Sequence, residues 1–306
     1  MSKSRIDSVL KKWEIMNLIK LAKDRDDALR EILRAATSDD PNLRLASLSA
    51  LLDVVRGANW RERKRILELG FDVLVDALST DDPGVIWRTL EILATLLKNN
   101  PLSGARLLKL VRALMPLSET ENVLIWDGIL KVVDNVMAPY IDNETAEELR
   151  NILQRGTRRE AIIVAEILLE TGAIDKNHWT VIVENVAEAL LSGEPVLVDA
   201  GLVASVKISK LPPVYPMDIL IKELFPALRK LIADCNDQIR KARTIEAFDR
   251  LRETLVRYYR VRPREAQRAA EELMSLGLVD EALLISSAAG TTLASSWATY
   301  RGRGRL

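Results

Sequence analysis

Asp81-Asp82-Pro83-Gly84 cannot lie inside a helix. Proline lacks the backbone N–H and clashes with the preceding turn, and glycine adds backbone freedom. At a helix start the same residues are favourable, because aspartate caps free N–H groups and proline suits the first turn. From there Ile86, Leu90, Leu93 and Leu97 fall on one helical face, while Arg88 and Glu91 lie off it. Asn99-Asn100-Pro101 ends the helix, since the residue before a proline is pushed out of the α region. The stretch Ser79–Leu97 is therefore a strong turn followed by an amphipathic helix.

Versions of it recur. An offset of 42 overlays Ser38-Asp39-Asp40-Pro41 and the helix after it, placing Leu43 on Val85, Leu48 on Leu90, Leu51 on Leu93 and Val55 on Leu97. An offset of 39 overlays the stretch from Ser118, placing Trp126 on Trp87, Ile129 on Leu90, Val132 on Leu93 and Val136 on Leu97. Weaker copies begin near Gly156, at Ser192-Gly193-Glu194-Pro195 and near Asn236. Between the copies, 61–78, 103–117, 144–154, 177–191, 216–233 and 263–276 also read as helices, with further helices at 4–22, 26–36 and 280–289. About six helix pairs at a period near 40 indicate a helical-repeat architecture, in which stacking buries apolar faces that no pair buries alone. No glycine/serine linker interrupts the series. The expectation is one domain over 1–285 with N-terminal capping helices, then a flexible basic tail over 286–306 ending in Arg301, Arg303 and Arg305.

Composition narrows function mainly by exclusion. Glycine is sparse (13 residues), too sparse for the frequent turns of a sandwich or barrel. With 44 basic and 44 acidic residues, the zero net charge argues against a wholesale electrostatic role on nucleic acid or membrane. One cysteine, Cys235, excludes an intrachain disulfide framework and a cysteine-rich zinc site. The charged N-terminus does not read as a signal peptide, and the uncharged run 282–300 carries seven Ser/Thr residues, unsuited to a membrane span. A reducing cytoplasm fits, and few Cys and His beside many Arg and Glu lean towards a thermophile.

At Asp39-Asp40-Pro41-Asn42-Leu43-Arg44-Leu45-Ala46 the chain resembles HEAT repeats, and Asp237, Ile239, Arg240 and Ala242 keep much of the same pattern. The central copy departs from it with Trp87-Arg88, so the resemblance is HEAT-like or armadillo-like over about 26–280 and fixes no subfamily. It implies an all-α, right-handed solenoid of about six stacked antiparallel helix pairs. It also implies that the second helix of each pair lines the concave surface where such proteins bind partners.

Catalytic constellations are scarce. The single histidine, His178, reads as a surface residue at a helix start. Asp39-Asp40 and Asp81-Asp82 read as caps, and Glu147-Glu148 as a surface pair. There is no phosphate-cradling glycine motif, and no cofactor or metal is expected. The dipeptide Trp126-Asp127 is similar to a feature of alkyl-base DNA glycosylases of this fold, but the charge balance opposes that reading. Trp87 and Trp126 read either as an aromatic binding surface or, the favoured alternative, as packing between repeats. Two stretches are rich in cations: 56–65 around Trp60, and 238–268, where Arg243, Arg250 and Arg257 share a face with Tyr258 and Tyr259 nearby. Glu246 and Glu253 each precede an arginine by four, which favours a salt-bridged solvent face.

The sequence therefore points to a non-enzymatic scaffold that binds another protein through Arg44, Trp87, Arg88, Trp126, Asp127, Arg243, Arg250 and Arg257. The alternative is nucleic-acid binding through 238–268, 56–65 and the Arg/Gly tail.

Overall fold

The computed structural model describes residues 25–212 and 214–290. The expected capping helix at 4–22 and the tail beyond 290 lie outside them. The described residues form fourteen α-helices and no strand. They are α1 (Asp26–Ala35), α2 (Pro41–Arg56), α3 (Trp60–Ala77), α4 (Pro83–Leu97), α5 (Gly104–Ser118), α6 (Val123–Val133), α7 (Asn143–Arg155) and α8 (Arg158–Thr171). Then follow α9 (Lys176–Leu191), α10 (Pro195–Lys210), α11 (Phe225–Asp234), α12 (Gln238–Tyr259), α13 (Pro263–Ser275) and α14 (Val279–Ala288). A π-helical turn, Leu220–Leu224, leads into α11 where a single helix from 216 was expected. The chain divides into two compact units, Met1–Ile152 with Glu166–Ala173, and Leu153–Ala165 with Ile174–Leu306.

In the first unit, α1, α3 and α5 pack side by side as first helices, and α2, α4 and α6 pack side by side as second helices. In the second unit, α9 and α11 are neighbouring first helices, while α10, α12 and α14 form the second-helix layer. The apolar stripes read from sequence form the core: Leu48, Leu51, Val55, Leu90, Leu93, Leu97, Ile129, Val132 and Val136 are all buried.

The turns into α2, α4 and α6 follow one chemical plan, which those into α10 and α12 share in part. The Asp40 carboxylate accepts from the N–H groups of Asn42 and Leu43, that of Asp82 from Gly84 and Val85, and that of Asp237 from Ile239 and Arg240. Asn122 does the same for Leu124. Two residues before the cap, the hydroxyls of Ser38, Thr80, Thr120 and Ser192 accept from the N–H of Asp40, Asp82, Asn122 and Glu194. Donors otherwise orphaned at a helix start are thereby satisfied. At the far end of α4, Asn99 takes a left-handed φ of 65°. Asn100 is buried there, and its amide donates to the Leu96 carbonyl at 2.6 Å.

This plan corrects one register. Thr80 and Asp82 of the central copy correspond to Thr120 and Asn122, an offset of 40 rather than 39. Trp126 therefore takes the place of Ile86, and Asp127 takes the place of Trp87. The two tryptophans do not share a ladder, because the cap sets the helix phase.

Close packing of α4 on α6 requires Gly128. A Cβ there would lie 2.9 Å from Leu90 Cδ1 and 3.1 Å from Leu90 Cβ. Gly→Ala in a helix ordinarily gains roughly 1 kcal/mol. Here the overlap meets Leu90 close to its own backbone, so Gly128→Ala is expected to destabilise by about 1–3 kcal/mol. Urea denaturation of the variant checks this, and a stabilised variant would contradict the packing.

Candidate interaction surface

Most of the arginines that sequence placed on a binding face are committed to the stack. Arg44 on α2 donates from Nη1 to Thr80 Oγ1 at 3.1 Å, tying one repeat to the next turn. Arg88 on α4 donates from Nε to Ser49 Oγ at 2.9 Å and from Nη1 to the Gly84 carbonyl at 3.3 Å. Arg159 joins Glu194 at 3.0 Å. Arg240 forms a two-pronged bond to Asp199, at 3.1 and 3.3 Å, and Arg243 reaches the same carboxylate at 3.5 Å. Planar guanidinium groups suit such bridging between elements.

The rest of the basic helix α12 follows the salt-bridged reading. Arg250 pairs with Glu246 at 2.8 Å and Arg252 with Asp249 at 3.8 Å. Arg257 departs from the expected pair with Glu253: it donates to Thr254 Oγ1 at 3.0 Å and to the Ser209 carbonyl at 3.4 Å. The proposed stacking tyrosines are not on the surface. Tyr258 and Tyr259 are buried edge to face, and Tyr258 donates its hydroxyl to Glu265. Burial pushes the Tyr259 phenol far above its ordinary pKa.

The cluster at 56–65 is partly spent in the same way. Arg56 pairs with Glu91 at 3.3 Å, and Lys131 joins Glu91 at 3.2 Å, so one carboxylate links α2, α4 and α6. Arg63 donates to the Val55 carbonyl, and Arg65 lies 3.5 Å from Asp26. Trp60 remains 62% exposed, with the Arg61 guanidinium 5.3 Å from its ring.

The two tryptophans part company. Trp126 is 3% exposed, so its ring belongs to the core, and the Trp126-Asp127 pair places no tryptophan surface beside Asp127. Asp127 is exposed and pairs with Lys131 at 2.8 Å. Trp87 is half-buried, with Arg88 5.7 Å from its ring. His178 is also corrected: it is 4% exposed, not on the surface, with Nδ1 3.2 Å from the Asp175 carboxylate.

Sequence reasoning missed Val123 and Leu124, which are 65% and 61% exposed at the start of α6. The available signal was their position. They occupy the places held by Pro83 and Gly84 in α4 and by Pro41 and Asn42 in α2. It also missed a cleft of about 300 Å³ in the second unit, between the turns before α10 and α12, where Leu190, Leu191 and Leu231 meet Asp234 and Arg240. Among the described residues, no group of three or more His, Cys, Asp or Glu side chains is placed to hold a metal ion. No described helix is long and apolar enough to cross a membrane.

A solved structure agrees on the fold. An archaeal HEAT-like repeats protein from Thermococcus onnurineus superposes with a TM-score of 0.67 at 21% identity, over 83% of this chain and 98% of that one. A designed armadillo repeat protein superposes with a TM-score of 0.43 at 14% identity, over 73% of this chain and 99% of that one. No protein-family model and no curated protein sequence matches the chain. The protein is thus a helical-repeat protein with the all-α, HEAT-like solenoid fold.

Two capping carboxylates are expected to shape its acid stability. The N–H groups of Arg240 and Ile239 hold Asp237 below the usual carboxylate pKa, and the Thr145 N–H does the same for Asp142. A lowered folded-state pKa gives stability present above the unfolded value, about 3.9, and lost as pH falls through the folded value. Asparagine keeps the cap and removes the titration. Asp142→Asn/Asp237→Asn is therefore expected to lose less stability than the parent as pH falls below about 4. Urea melts across that range test it; superimposable pH profiles would refute the assignment.

Proposed function

We propose that the protein is a non-catalytic scaffold that holds another protein on its second-helix face. The observation that carries this reading is the contrast between its committed cations and its exposed apolar groups. Arg44, Arg56, Arg88, Arg240, Arg243 and Arg250 are bonded within the chain. Binding to a phosphate backbone needs cations able to displace counterions, and pairing lowers their value for that purpose. Trp87, Val123 and Leu124 instead offer apolar area on adjacent second helices, and aromatic and aliphatic anchors of this kind dominate protein interfaces. Within unit 1 the scaffold reading uses α2, α4 and α6, with Trp87 and Asp127 among its candidate residues.

Nucleic-acid binding is a second reading, favoured by one observation: exposed Trp60 beside Arg61, an arrangement able to stack bases. Affinity capture from native cells with and without nuclease separates the two. The scaffold reading expects protein partners that survive nuclease and weaken about tenfold or more with Leu124→Ser, at an unchanged melting temperature, as for an exposed interface anchor. Partners released by nuclease, together with oligonucleotide affinity that falls steeply with salt, would transfer the function to the second reading.

A further inference from the structure

The three turns that open α2, α4 and α6 carry the carboxylates Asp39, Asp40, Asp81, Asp82, Glu119 and Glu121. Asp40 and Asp82 are occupied as helix caps. Asp39, Asp81 and Glu121 each stand one residue before the cap and are exposed, and Glu119 is exposed on the third turn as well. The arginines that precede or follow the first two turns in sequence are bonded elsewhere. Arg44 and Arg88 bond to hydroxyls and a carbonyl, and Arg34 pairs with Glu31 on α1. Because α2 packs on α4 and α4 on α6, with their caps at the same end, the three carboxylates form a row. Exposed Val123 and Leu124 lie at the end of that row, and half-buried Trp87 lies one turn into α4.

Resting on the proposal that this second-helix face binds a protein, we infer that its partner presents an extended basic segment with cations every third residue and an apolar residue beside the last of them. The spacing follows from geometry. Packed helix axes lie about 8–10 Å apart, and a chain extended as polyproline II advances about 3.1 Å per residue with three residues per turn, so every third side chain faces the same way and spans one repeat. The charges steer and register the segment, and Val123 and Leu124 bury its apolar side chain.

The test uses the full chain and a fluorescent peptide with lysine at every third position, leucine beside the last lysine and serine elsewhere. Anisotropy at low salt is expected to show binding that falls with added salt. A peptide of the same composition with contiguous lysines is expected to bind about tenfold more weakly, and one with glutamate for lysine not at all. Asp39→Asn/Asp81→Asn/Glu121→Gln is expected to weaken binding at least about tenfold and flatten the salt dependence. Leu124→Ser is expected to weaken it with the salt slope retained. None of these residues is a helix cap, so circular dichroism melts should match the parent. Absence of binding at low salt, or binding indifferent to the triple substitution or to lysine spacing, overturns the inference. So does self-association of the chain that the triple substitution abolishes, which would make a second copy the occupant. A captured protein that survives nuclease and tolerates the triple substitution but not Leu124→Ser would leave the scaffold standing and remove only the basic segment.

Discussion

The turn that starts each second helix is the constraint on which the stack depends. A helix start leaves four N–H groups without intrahelical partners, and a repeat protein must solve this in every unit. Here a hydroxyl two residues ahead of the cap fixes the turn, and the cap carboxylate or amide takes the first donors. The cap also sets rotational phase, because the first capped N–H decides which residues face the core. One residue of difference at the third turn moves Trp126 from the Trp87 position to the Ile86 position, and so from a half-buried place to the interior.

Once the turns are fixed, polar chemistry joins the repeats. Arg44 reaches the next turn, Arg88 reaches back to Ser49, and Glu91 collects a cation from each neighbouring second helix. The first-helix layer does the same where Lys109 bridges Asp72 and Asp76, and those carboxylates raise the lysine pKa. Single surface ion pairs contribute little, typically below about 1 kcal/mol. Their value here is directional: they discriminate one stacking register from its slipped alternatives, which apolar contacts alone do poorly. The same pairing lowers the charge that those cations offer to a ligand.

Architecture was legible in the sequence because it rests on local rules. Proline and aspartate marked the helix starts, the apolar stripes marked the buried faces, and helices such as 61–78 and 263–276 fall within a residue or two of α3 and α13. The candidate site was less legible, because it depends on what lies across the repeat interface. Nothing in the sequence around Arg44 or Arg88 names Thr80 or Ser49 as a partner. The Glu253–Arg257 spacing was right for a helix pair, yet Arg257 found the Ser209 carbonyl on the preceding second helix. His178 looked exposed beside a lysine and an asparagine, and tertiary packing buried it.

Variation within the repeat is then the place to look for function. Gly84 lies beneath its neighbours: a side chain there would meet Asp82 Oδ1 at 3.2 Å, Leu45 Cδ1 at 3.5 Å and Arg88 Nη1 at 3.6 Å. Leu124 holds the matching place in α6 and stays 61% exposed. A side chain at this place would thus touch its neighbours at one repeat and stays unburied at the next, and unburied leucine gives the folded chain nothing. Fully burying a valine or leucine is worth about 1.5–3 kcal/mol each, enough to hold a short segment weakly. The neighbouring carboxylates act mainly on encounter and orientation, since exposed charges are screened within about 8 Å at physiological salt. The apolar pair thus supplies residence, the acidic row supplies direction, and neither requires the stack to move.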